Sequence, residues 1–193
     1  MLLAAAAEEF ARQGSRGARV AEIVRRAGVN ERMIYHHFGS KDGLYQAVLA
    51  DQMGGLAEQW LPVIQRATQL DPAAGLRLAL RGYFDAFHAR PLLAPLVLHE
   101  AMTDWTARPP LNVDNLPAGL LELYRRGQRD GLIRADIDIA VIHATAITAL
   151  VAAPTVRGLA GNPLADPDRA ARVGDQIVDL LLDGIIGGRR SSG

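Results

Sequence analysis

Apolar side chains recur in this sequence at helical spacing and almost nowhere in alternation, and this narrows the fold more than any other property. Val20, Ile23, Val24 and Ala27 stand at i, i+3, i+4 and i+7, one stripe along a helix. Leu3, Ala7 and Phe10 share a face before Gly14, and Leu44, Val48, Leu56 and Trp60 recur after Ser40. A half-buried strand needs a sustained period of two, and none occurs. The expectation is an all-α protein.

Composition excludes several functions. With 49 % hydrophobic and 22 % charged residues, the 193-residue chain can bury a real core. Its formal net charge is zero, so any electrostatic footprint must be local. Residues 1–45 hold seven Arg and Lys against five Asp and Glu, and the remainder holds 14 against 16, so the N-terminal segment is the one suited to meet an anion. No cysteine is present, which rules out disulfides and thiolate metal sites and fits a reducing cytoplasm. The start, MLLAAAAEEF, lacks a basic n-region, and Glu8 and Glu9 interrupt its apolar run. The most apolar stretch, residues 139–154, is shorter than the roughly 20 residues of a membrane span. A soluble, cytoplasmic protein without a membrane partner is expected.

The chain divides by helix length. Residues 1–45 read as short helices with tight joints, the first ending before Gly14, the second at Gly28 and the third at Gly39. Asn30 and Ser40 are suited to cap the third and fourth helices. Residues 46–193 read as longer pieces: the fourth helix running until Pro62 bends or ends it, then 74–90, 91–105 broken near Pro95, 118–134, 137–157 and 168–187. Residues 107–117 and 158–168 read as loops, and the tail GGRRSSG as disordered.

Residues 30–44, NERMIYHHFGSKDGL, gather hydrogen-bonding groups, including Lys41, the chain's only lysine. They follow an apolar helix and a Gly-containing turn, so residues 19–38 have the layout of a helix-turn-helix. If Ile34 and Phe38 pack inward, Glu31, Arg32, Met33, Tyr35 and His36 lie on other faces. In such units the second helix enters the major groove, and its first turn meets base edges. Arg32 suits a guanine, Glu31 a cytosine amine and Met33 a thymine methyl. Tyr35 and His36 are placed for phosphates, and Lys41 adds charge to the dipole end of the next helix. Glu31 has a blander role as partner of Arg32 or Arg26. Neighbouring histidines on a helix point about 100° apart, so His36 and His37 cannot easily share a metal ion. His37 is expected between the short helices or bonded to backbone, with His36 outward. No metal, cofactor or catalytic residue is assigned.

LLAAAAEEFARQG, AEIVRRAGV and MIYHHFGSKDGLYQAVL together resemble the DNA-binding domain of the tetracycline-repressor (TetR) family, with its Y-x-H-F-x-x-K core at Tyr35, His37, Phe38 and Lys41. GQRDGLIRADID, residues 127–138, is similar to the family's late-domain pattern. The resemblance implies a helix-turn-helix DNA-binding domain at 1–45 and a ligand-binding and dimerisation domain at 46–193. Base reading falls on Glu31, Arg32 and Met33. Backbone contact falls on Tyr35, His36 and Lys41, with Asn30 as cap and contact. Where the family usually opens its second helix with Thr or Ser, this chain has Ala18 and Arg19, so the phosphate bond of that hydroxyl is lost or is replaced by Arg19. The implied partners are a palindromic double-stranded operator, a second copy of the chain and a small-molecule effector; the implied role is a repressor.

A family-type pocket implies contacts from Trp60, Phe84, Phe87, His88, His99, Met102, Trp105 and Tyr124. Glu100, polar in an apolar setting, is expected to bond a ligand or to pair with Arg90 or Arg125. The last helix carries a stripe of Val173, Ile177, Leu181 and Ile185, widened by Val178, Leu180, Leu182 and Ile186. The helix before it offers small residues at Ala140, Ala144, Ala149 and Ala152. Ala140, Ala144, Ile177, Leu181 and Ile185 are therefore expected at a four-helix dimer interface. A helical enzyme, or an interaction module that uses the C-terminal pocket without DNA, is the alternative. Against an enzyme, no G-x-S-x-G, phosphate loop or H-E-x-x-H motif occurs.

Overall fold

The computed structural model describes residues 1–103, 116–155 and 167–185; within 101–103, 152–155, 167–171 and at 185, only the backbone is described. Among the described residues the elements are all α-helices: α1 Leu2–Gly17, α2 Val20–Ala27, α3 Glu31–Phe38, α4 Lys41–Ala67, α5 Pro72–His88, α6 Leu93–Thr103, α7 Ala118–Arg129, α8 Ile139–Thr155 and α9 Pro167–Ile185. The fold is all-α, as the spacing predicts. Most of the loops expected at 107–117 and 158–168, and the tail, lie outside the described residues.

Packing separates two compact units. Met1–Ala57 groups with α6, while α4 from Glu58 onward groups with α5, α7, α8 and α9. In the first unit Phe10, Ile23, Ile34 and Leu44 are fully buried, one from each of α1 to α4, with Leu96 of α6 joining them. Gly14 interrupts α1 with φ 67° and ψ 172°, and one further turn follows it. Gly28 closes α2 at φ 66° and ψ 31°, a left-handed conformation that costs a non-glycine residue about 1–2 kcal/mol.

Two prolines behave differently from expectation. Pro62 neither ends α4 nor stands at its boundary; the helix continues to Ala67. An interior proline costs about 3 kcal/mol. On either side, buried Trp60 and Ile64 offset this at roughly 1.5–3 kcal/mol each, and the Trp60 indole N–H donates to the Ala79 carbonyl at 2.8 Å. Pro95 does not break α6, because it occupies the first turn, where the helix needs no N–H from it.

In the second unit α5 packs against α7, α8 and α9. Leu76, Leu80, Phe84, Leu123, Leu150, Val178 and Leu182 are buried there. Arg77 pairs with Asp179, and Arg81 with Asp175 and Asp85, so charges tie α5 to α9. The turn from α7 to α8 is held by one amide: Gln128 Nε2 donates to the carbonyls of Arg134 at 3.0 Å and Ile137 at 3.1 Å. Asp138 then caps α8 by accepting from the Ala140 N–H at 2.8 Å. This accounts physically for the GQRDGLIRADID pattern.

Candidate nucleic-acid interface

α3 is short and defined at both ends. Asn30 Oδ1 accepts from the Arg32 N–H at 2.9 Å, and at the other end the Gly39 N–H donates to the Tyr35 carbonyl at 3.1 Å. The helix is anchored through Ile34, which is fully buried, and through half-buried Phe38. Glu31, Arg32, Met33, Tyr35, His36 and His37 are all exposed, with Met33 at 41 % and Tyr35 at 51 %. An apolar methionine so exposed on a packed helix is available to a partner.

The side chains on this face hold one another loosely. Tyr35 Oη donates to Glu31 Oε1 at 3.3 Å, a long bond on an exposed surface. Glu31 thus pairs with Tyr35 rather than with Arg32 or Arg26. Arg26 instead reaches Glu8 at 3.2 Å and Glu22 at 3.7 Å. Arg25 binds Glu22 through two N–H groups, and this holds the Glu22 carboxyl below its usual range. Among the described residues no ion pair engages the Arg32 guanidinium.

Lys41 opens α4 and spans two elements. Its Nζ donates to the carbonyls of Arg16 at 3.3 Å and Ala18 at 3.4 Å, at the C-terminal end of α1. A cation belongs there, because the last carbonyls of a helix carry partial negative charge. An ammonium has three donors, so one remains for a phosphate. Ser40 caps α4 by accepting from the Gly43 N–H at 3.0 Å. Arg19 stands exposed immediately before α2, without a side-chain capping bond, while Ala18 is buried. Arg19 edges a polar recess of about 330 Å³ shared with Glu9, Arg12, Gln13, Gly17 and Glu22, which sequence reasoning did not find.

His37 is a correction. It is exposed beside His36, their rings 4.9 Å apart at 72°, rather than packed between helices. Phe38 takes the half-buried place at the end of α3, which leaves the polar ring to water. Among the described residues, no group of three or more His, Asp or Glu is placed to hold a metal ion.

The other expected residues fall in different places. Trp60, Phe84, Phe87 and Tyr124 are buried in the second unit, with half-buried His88 stacked on Phe84 at 5.7 Å. His99 belongs to the first unit, where it packs beside Gly14. Trp105 lies outside the described residues, as does the Met102 side chain. Glu100 pairs with neither Arg90 nor Arg125 but accepts from Tyr45 Oη at 2.9 Å. Tyr45 is itself buried edge-on against Phe10. On α8, Ala144 is exposed and Ala140 half-buried; on α9, Ile177 and Leu181 are half-buried, and the Ile185 side chain is not described. Val141 and Leu180 are the outward apolar residues, at 56 % and 75 % exposure.

Two family models match the chain: bacterial regulatory proteins of the tetR family over residues 2–48, and the tetracyclin repressor-like C-terminal domain over residues 72–181. The chain belongs to the TetR family. It is 28 % identical to the transcriptional regulator BetI of Paraburkholderia phytofirmans, over 88 % of this chain and 85 % of BetI. It is 29 % identical to the transcriptional repressor KstR2 of Rhodococcus jostii, over 95 % and 89 %. The structure of the ketosteroid transcriptional regulator KstR2 of Mycobacterium tuberculosis superposes with a TM-score of 0.71 at 20 % identity, covering 96 % of this chain and 93 % of that one, and shows the shared fold. TetR-family members are transcriptional regulators rather than enzymes, and DNA binding is implied for this one. Among the described residues, no helix is long and apolar enough to cross a membrane.

Proposed function

We propose that this TetR-family chain is a cytoplasmic, homodimeric repressor that reads a palindromic operator with α3 and is released by a small-molecule effector. The observation that carries the reading is the α3 face. This helix is fixed at both ends and buried through Ile34 and Phe38, and it offers Arg32, Met33, Tyr35 and His36 to solvent. Arg32 and Met33, with Glu31, are the base readers. Arg19, Asn30, Tyr35, His36 and Lys41 hold the backbone. Residues 1–45 serve DNA, and residues 46–193 serve the effector and the second copy.

Val141 and Leu180 support the dimer, because exposed aliphatic side chains on adjacent helices gain from covering one another. In a dimer the two α3 helices must stand about 34–36 Å apart to enter successive major grooves. An effector acts only through unequal affinity for the competent and incompetent arrangements. Repression accords with the repressor role of KstR2.

Selection of random duplexes by the purified protein, beside an Arg32→Ala variant, tests the proposal. The expected result is a palindrome for the wild type, with one position of each half-site relaxed in the variant. Enrichment of no motif would defeat it.

A further inference from the structure

The second unit buries polar atoms that have no partner among the described residues: Tyr83 Oη, His88 Nδ1, Tyr124 Oη and His143 Nδ1. Native proteins rarely leave such atoms unsatisfied, so each asks for a water or a ligand. Two of them belong to facing rings. Tyr124 on α7 and His143 on α8 lie 6.3 Å apart at 77°, and their side chains are 0 % and 3 % exposed. Nothing in the fold requires a histidine there, because the rest of that α8 face (Ile142, Ala146, Ile147, Leu150) is apolar and buried.

Several charges of this unit are committed elsewhere. Arg77 pairs with Asp179, Arg81 with Asp85 and Asp175, and Arg129 with Glu122. Arg126 donates to the carbonyls of Thr68 and Leu70. Among the described residues of the unit, no Arg, Lys, Asp or Glu belongs to the buried class. A carboxylate, phosphate or ammonium brought against Tyr124 and His143 would meet no buried counter-charge among the described residues, and burying it unpaired is strongly unfavourable.

We infer that Tyr124 and His143 form the polar end of an internal effector site for an uncharged, largely apolar molecule that carries a hydroxyl or ketone oxygen. A phenol O–H donates, and a neutral imidazole Nδ1 accepts or donates according to its tautomer, so together they suit one such oxygen. Burial pushes the His143 imidazole down to about 4, which keeps it neutral at pH 7. The inference rests on the second unit being the effector-binding unit.

Three probes of one shape test it: naphthalene bearing, at the same ring carbon, a hydroxyl, a carboxylate or a methyl group. Each is titrated calorimetrically into the full-length wild type, Tyr124→Phe and His143→Leu. The naphthol is expected to bind the wild type about threefold to tenfold tighter than methylnaphthalene, the worth of one neutral hydrogen bond. The naphthoate should bind more weakly than the naphthol, and Tyr124→Phe should erase the naphthol's advantage over methylnaphthalene. Tyr124→Phe removes a hydroxyl that bonds nothing among the described residues, so its fold should persist; His143→Leu provides the second reading of the same loss. Naphthoate binding as tightly as naphthol overturns the inference, as does equal binding of naphthol and methylnaphthalene to wild type. So does an advantage retained in both variants, or no binding of any probe, which would leave the pair enclosing water. Duplex selection on the same preparation separates the two claims: a palindrome without probe binding keeps the regulator and removes this site. Probe binding without a palindrome does the reverse.

Discussion

At the residue scale, α3 and the start of α4 assign different tasks to their cations. Arg32 carries a planar fork that can bond a guanine bidentately, whereas Lys41 already gives two donors to the Arg16 and Ala18 carbonyls. Arg32→Ala is expected to cost about 1–3 kcal/mol at its operator position and to relax the base preference there, read by competition with single-base variants. An equal loss on every sequence would make Arg32 a phosphate contact instead. His143 makes a second residue-scale prediction. Its folded value lies near 4 against an ordinary 6.5, so between those values the unfolded chain binds a proton that the native one refuses. That contribution to stability is fully present above pH 6.5 and falls away toward pH 4, by up to about 3 kcal/mol in all. Urea unfolding at pH 7 and pH 5 should show the wild type losing more stability than His143→Leu; parallel losses would mean the imidazole titrates freely.

At the element scale, the sequence announces boundaries better than pairings. Asn30, Ser40, Gly28 and Gly39 each mark a helix end that the structure confirms, because capping and left-handed turns are local demands of the backbone. Asn30→Ala is therefore expected to cost about 1 kcal/mol of stability, measured in urea, as the Arg32 N–H loses its acceptor. Operator affinity should fall with it, since the cap also sets the first turn of α3. A variant as stable as wild type would show that water replaces the cap. What the sequence hides is long-range. Tyr45 and Glu100 are 55 positions apart, and no periodicity links them. Pro62 reads as a bend or a stop, yet Trp60 and Ile64 are buried on either side of it and α4 continues to Ala67. His37 and Phe38 are adjacent candidates for one buried place, and only packing decides between them. The exposed α3 face follows from helical spacing around Ile34; Tyr124 is expected at a pocket, but its juxtaposition with His143 leaves no trace in the sequence.

At the scale of the whole molecule, the proposed function makes affinity for DNA and self-association one property. A single α3 contacts one half-site, and two linked copies gain the second contact without a new encounter. The exposed side chains of Val141 and Leu180 are where such a link meets least resistance, since neither is needed in the protomer's core. Leu180→Glu should then leave the helical content and thermal unfolding of the protomer nearly unchanged. It should convert a dimer to a monomer in analytical ultracentrifugation and remove most of the operator affinity, because two like charges would face each other across the symmetry axis. A charged variant that stays dimeric and still binds would place the interface on another face. Salt reports the same assembly from the DNA side. Each phosphate contact contributes about 0.9 to the slope of log affinity against log salt, so Lys41→Gln, counted twice in a dimer, should lower the slope by about 2. A drop of about 1 would mean that one protomer alone engages DNA. An unchanged slope would mean that Lys41 serves only the carbonyls of α1.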